Sequence, residues 1–116
     1  MIDVADYEDW EIRLMKYRIN GFPEKAKRDE DKFIRLEAYR SLGFTKEAKK
    51  DRNNLIRFEA YQKLGFTEKA KKDEDKFIRL EAYRSLGFTE EAKRDEDSDI
   101  RKEAELYFAI KNGEIK

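Results

Sequence analysis

Set against itself at an offset of 22, the 116-residue sequence repeats. Residues 29–45, 51–67 and 73–89 align without a gap, and residues 29–50 and 73–94 differ only at Lys46/Glu90 and Lys50/Arg94. Five repeats start near Tyr7, Asp29, Asp51, Asp73 and Asp95, and the first and last have drifted. So short a unit cannot enclose a core of its own. A fixed period in this range predicts an array in which each repeat buries its apolar face against its neighbours.

Within a repeat, Phe33, Ile34, Leu36, Ala38, Tyr39 and Leu42 fall at helical spacing among strong helix formers, which predicts an α-helix over 31–42. Asp29 or Asp31 stands where it can cap the first amides. Gly43 stands where a left-handed residue ends the helix, and Phe44 where it folds back on the last turn. Thr45 then caps a shorter helix over 46–50, with an acid in its first turn and bases in its last; Pro23 replaces that threonine in the first repeat. The expected fold class is all-α: a right-handed α-solenoid of five long-helix/short-helix repeats. A single domain over 1–116 is expected, with repeats at about 7–28, 29–50, 51–72, 73–94 and 95–116.

The end repeats orient the stack. In the first, Glu11, Lys16 and Asn20 replace the residues matching Phe33, Ala38 and Leu42, while Leu14 and Tyr17 keep the slots of Leu36 and Tyr39. In the last, Lys102 and Glu105 replace Leu36 and Tyr39, while Ala104 and Phe108 keep the slots of Ala38 and Leu42. Terminal repeats carry polar outer faces, so the 38 and 42 slots are expected to face the preceding repeat, and the 36 and 39 slots the following one. The slot of Phe33 turns polar at both ends and is left without a direction.

Arg13, Arg35, Arg57, Arg79 and Arg101 recur within the apolar arc. A charge there needs a partner, and Asp29, Asp51, Asp73 and Asp95 supply it; an Asp–Arg ladder between repeats, structural in role, is expected.

The run Asp-x-Asp-x-x-Ile-Arg-x-x-Ala-x-x-x-Leu-Gly resembles the second-helix motif of HEAT-like repeats, and the short period with one long and one short helix also resembles the leucine-rich-repeat variant type. The resemblance covers residues 7–112 and implies a superhelix with a continuous binding surface. At 22 residues the repeat is shorter than a usual HEAT unit, its first helix cut to little more than a turn.

Composition narrows the function. Twenty-seven basic and 27 acidic residues cancel, which disfavours both a basic nucleic-acid binder and an acidic tail. Without cysteine or histidine there is no disulfide, no thiolate or imidazole metal site and no histidine-based acid/base scheme. No glycine-rich phosphate loop, nucleophile elbow or zinc spacing is present. The expectation is a non-enzyme with no cofactor and no metal. No apolar run approaches membrane-spanning length and the N-terminus is acidic, so a soluble, cytoplasmic protein without a membrane partner is expected.

A non-catalytic protein-binding module, an adaptor, scaffold or inhibitor of a larger protein, is the leading expectation. Its candidate contacts are Arg40 and Arg84 on the outer arc with the Glu37, Glu59, Glu81 and Glu103 series, and the end residues Trp10, Met15, Ile19 and Tyr107. Met15 and Ile19 stand where interior repeats carry Glu37 and Ser41. Leu106 and Tyr107 are similarly apolar, so both ends are open to end-to-end homo-oligomers, to a docking partner, or to terminal segments folding back. The alternative is a nucleic-acid backbone binder using the paired cations Lys27-Arg28, Lys49-Lys50, Lys71-Lys72 and Lys93-Arg94, set against helix-end charges that pair with neighbouring aspartates. A lipid-surface amphipathic protein is a minor alternative, opposed by the Gly-Phe-Thr stops.

If repeats touch only their neighbours, deleting residues 51–72 joins two nearly identical repeats and leaves a folded, less stable helical protein by circular dichroism. Complete unfolding of that variant would contradict a repeat architecture.

Overall fold

The structure, a computed structural model, describes residues 1–115 and holds only helices among them. A 3-10 helix η1 (Val4–Asp6) precedes α1 (Asp9–Asn20). The pattern η2 (Glu24–Arg28), α2 (Lys32–Leu42), η3 (Lys46–Lys50), α3 (Asn54–Leu64), η4 (Glu68–Lys72), α4 (Lys76–Leu86), η5 (Glu90–Arg94), α5 (Ser98–Lys111) follows. The chain divides into two compact units, Met1–Leu64 and Gly65–Lys116.

In the first unit, η2 packs on α2 and η3 on α3, so the closest-packed pair is a short helix with the long helix that follows it. That pairing moves the structural repeat half a unit from the alignment, which coupled each long helix to the short one after it. Ala26 lies at the centre of a cluster with Leu14, Ile34 and Ala38, joined by Trp10, Tyr17 and Phe22. Ala48 does the same among Leu36, Tyr39, Ile56 and Ala60, joined by Phe44. Ala38 therefore faces the preceding helix, and Leu36 and Tyr39 face the following one. Phe44 stacks on Tyr39 with ring centroids 5.5 Å apart. In the second unit, η4 packs on α4 and η5 on α5, and Ala92 lies with Tyr83, Ile100 and Ala104, joined by Leu80 and Phe88.

Helical spacing overstates the core. Phe33, Leu42, Leu55 and Leu64 are exposed, as are Phe77 and Leu86. A five-residue 3-10 helix rises about 10 Å against about 16 Å for an eleven-residue α-helix, so it covers the middle of its partner and leaves both ends in solvent. Phe33 instead meets Trp10 of the preceding helix, centroids 5.5 Å apart.

The two aspartates divide the capping between them. Asp31 accepts from the Phe33 and Ile34 amides at 2.9 and 3.1 Å. Asp29 accepts from the Asp31 amide at 2.9 Å, turning the chain into the helix. Gly43 ends the helix at φ 107°, ψ 143°. That is a positive φ, but far from the left-handed helical region, and essentially only glycine adopts it. The space around it is open, so the backbone angle alone demands glycine. Thr45 and Thr89 hold N-cap positions without a side-chain cap. Their hydroxyls act on Tyr39 and Tyr83 instead, opposing the burial that pushes both phenol pKa values up.

In each unit a buried guanidinium ties one long helix to the turn that leads into the next. Arg35, 5% exposed, donates from Nη1 to the Asp29 and Glu30 carbonyls at 2.9 and 3.1 Å, and from Nε and Nη2 to both oxygens of Asp51 at 2.9 and 3.0 Å. Arg79 repeats this with the Asp73 and Glu74 carbonyls and Asp95. Arg13, more exposed, holds Asp29 through two bonds. Arg57 and Arg101 bind the carbonyls of their own approach turns.

Arg35→Ala strands Asp51 in the interior and is expected to cost about 3–5 kcal/mol in denaturant unfolding. Arg40→Ala, at an exposed pair, is expected to cost at most about 1 kcal/mol. At Asp29, burial acts to raise the carboxyl pKa, but the Arg13 guanidinium and the Asp31 amide overcome it and hold the value below normal. Its stabilisation is thus full above the unfolded value and lost as pH falls through the folded one, below about pH 4. The thermal midpoint of Asp29→Asn is expected to fall less than that of the parent chain across this acid range.

Candidate functional site

The outer arc is self-paired. Arg18 binds Glu37 at 2.9 and 2.5 Å, Arg40 binds Glu59 at 3.1 and 2.9 Å, and Arg84 binds Glu103 at 3.1 and 2.7 Å, each fork to fork with the next helix. Arg84 also holds Glu81 of its own helix at 2.8 Å. Arg40 and Arg84 are half exposed, but the Nε and Nη2 of each are already bonded to the next helix's glutamate. The third repeat has Gln62 in this slot.

The cation pairs split by residue. Lys27 is 8% exposed; its ammonium stands 5.4 Å from the Tyr39 ring centroid and 3.2 Å from Glu24. Lys71 is equally buried, 5.5 Å from Tyr83 and paired with Glu68. Lys49 sits over Tyr61, and Lys93 over Phe108 and beside Glu90. A cation packed on an aromatic face is held inside rather than offered outward. The second members, Arg28 and Lys50 in the first unit and Lys72 and Arg94 in the second, remain exposed. The inward lysines had a signal in the sequence: Lys27, Lys49 and Lys71 each precede a tyrosine by twelve residues.

The first repeat opens an apolar groove of about 650 Å³. Trp10, Met15 and Ile19 line it with Ile2, Tyr7 and Phe33, and the charges of Glu11, Lys16, Arg18 and Glu37 surround them. Met15, one of its lining residues, stands where interior repeats carry the glutamate of the outer arc. Met15 and Ile19, one turn apart on α1, are 51% and 74% exposed. The N-terminal segment supplies a wall through Ile2 without covering the groove, and Ile2 and Val4 stay exposed at 70% and 65%. Sequence spacing located Trp10, Met15 and Ile19; the contribution of Ile2, Tyr7 and Phe33 needed the packing of α2 on α1.

Tyr107 lies in the second unit, between Phe88 and Phe108 at 5.3 and 5.1 Å, with its hydroxyl 3.2 Å from Lys111 Nζ. Its neighbours Leu106 and Ile110, one turn apart on α5, are 51% and 55% exposed. Among the described residues, no group of three or more carboxylates is placed to hold a metal ion, and no helix is long and apolar enough to cross a membrane. No protein-family model, curated protein or solved structure matches the chain.

Proposed function

We propose that this chain is a non-catalytic protein-binding module, an adaptor, scaffold or inhibitor, that takes an apolar segment of a protein into the groove of its first repeat. The groove carries the reading: it gathers Trp10, Met15, Ile19 and Phe33 in one concavity with charges of both signs around it. The interior outer arc supports it by contrast, because Arg40 and Arg84 each already donate two hydrogen bonds to the neighbouring helix's glutamate. A helix presenting residues one turn apart matches the spacing of Met15 and Ile19. In the same reading the repeat is a shortened relative of HEAT-like and leucine-rich-variant units. Its single long helix with one short helix supports the second resemblance more than the first, since a HEAT unit has two full helices.

Affinity capture with the parent chain and with Ile19→Glu, followed by mass spectrometry and reconstitution from purified components, tests the proposal. A protein bound in stoichiometric amount by the parent and lost at least about tenfold by Ile19→Glu is the expected result. Undiminished binding by Ile19→Glu, or no reconstituted complex, would remove the groove from the function.

A further inference from the structure

We infer that the groove of the first repeat receives the last helix of a second copy of this chain, joining copies head to tail. The inference rests on the groove being a docking site and names its occupant.

Inside each compact unit, the outer arcs of consecutive helices meet at one constant offset of nineteen residues: Arg18 with Glu37, Arg40 with Glu59, and Arg84 with Glu103. The cation comes from the 40 slot of one repeat and the carboxylate from the 37 slot of the next. Two such slots are left over at the ends of the chain, the 40 slot of the last repeat and the 37 slot of the first. Leu106 and Met15 occupy them. An arginine or glutamate left unpaired in water is well solvated, so solvent exposure gives no reason to replace either. Replacement of both members of one pairing by apolar residues fits a contact in which the two slots meet, the first repeat of a second copy standing where a sixth repeat would be.

The same register pairs two further slots of both ends. One turn further along α5, Ile110 falls opposite Ile19 of the second copy; one turn earlier, Lys102 falls opposite its Glu11. Interior repeats place Leu36 and Leu55 in those last two slots. The ends thus exchange an apolar pairing for an opposite-charge one where the interior is apolar, and the reverse where it is charged. Arg101 binds the Asp95 and Glu96 carbonyls of its own approach turn through Nη1. At the offset of seventeen that sets Arg13 near Glu30 and Arg79 near Glu96, both at 3.7 Å, it meets Glu8 of the second copy. Charge and apolar character are complementary at every one of these slots. Because Lys102 and Glu105 stand where Leu36 and Tyr39 fill an internal joint, this junction buries less apolar surface and is reversible.

A head-to-tail junction is heterologous, needing one groove and one tail helix. Sedimentation velocity over a concentration series, on the parent chain, Ile19→Glu, Ile110→Glu and an equimolar mixture of the two variants, separates this from other modes. Both residues are more than half exposed, so helicity and thermal midpoint are expected to be unchanged and report folding independently. The parent is expected to assemble with concentration, as an open chain or a closed ring. Each variant alone is expected to be monomeric. The mixture is expected to form a one-to-one dimer and nothing larger, since Ile110→Glu brings the only intact groove and Ile19→Glu the only intact tail. A parent that stays monomeric, a dimer that survives Ile110→Glu, or a mixture that stays monomeric overturns the inference. A foreign protein that still binds the parent and is lost with Ile19→Glu would then leave the docking groove standing with a different occupant, whereas capture insensitive to Ile19→Glu would remove the groove as well.

Discussion

A guanidinium buried between two helices is the constraint around which the joint is organised. Arg35 reaches back to the Asp29 and Glu30 carbonyls of its own approach turn and forward to both oxygens of Asp51, the residue that in turn accepts the Asn53 amide at the start of the next helix. A buried cation is costly unless its donors are met, and here four N–H···O contacts meet it. The aspartate satisfies the arginine, turns the chain and delivers it to the cap residue, so one charge pair sets where a helix begins and how it lies on its predecessor. Arg79 and Asp95 repeat the arrangement in the second unit.

A second series of ion pairs runs along the outside and has a different physical character. Arg18, Arg40 and Arg84 grip the next helix's glutamate in solvent, where screening and side-chain entropy leave each pair worth little by itself. Their importance lies in register: fork-to-fork geometry tolerates little sliding, so the exposed pairs align helices that the buried pairs hold. The neutral total of the sequence is reached only over its whole length, since residues 51–72 carry six basic against three acidic residues and residues 95–116 four against seven.

Much of the fold is legible in the sequence because repetition multiplies weak signals. One Asp-x-Asp before an apolar run is ambiguous; four copies at constant spacing, with Asn53 as the one substitution, identify a structural turn. The facing of Ala38, Leu36 and Tyr39 could be read because the end repeats lose opposite flanks. Other features depend on geometry that periodicity does not encode. The helical wheel assigns Phe33 and Leu42 to the core because it measures angle, whereas their exposure depends on how far along the axis a five-residue partner extends. Thr45 looks like a cap by type and position, yet its side chain makes no cap bond and instead acts to lower the pKa that burial raises at Tyr39. The lysines that open each cation pair read as surface charge until Tyr39 and Tyr83 are placed beneath Lys27 and Lys71. For the groove, the exchanged residues were visible at Met15 and Ile19, but their concavity depends on Phe33 crossing to Trp10.

The alanine at the centre of each 3-10 helix from η2 to η5, Ala26, Ala48, Ala70 or Ala92, is at most 1% exposed. A single methyl group thus sets the distance of closest approach, and a larger side chain would force the layers apart. Glu37 and Arg40 are instead engaged in exposed ion pairs between long helices. Spacing between layers and pairing along the outer arc consequently occupy separate sets of positions within one short repeat. A duplicated repeat inherits its spacer intact and can still diversify its outer arc, and the first and last repeats have changed that arc most.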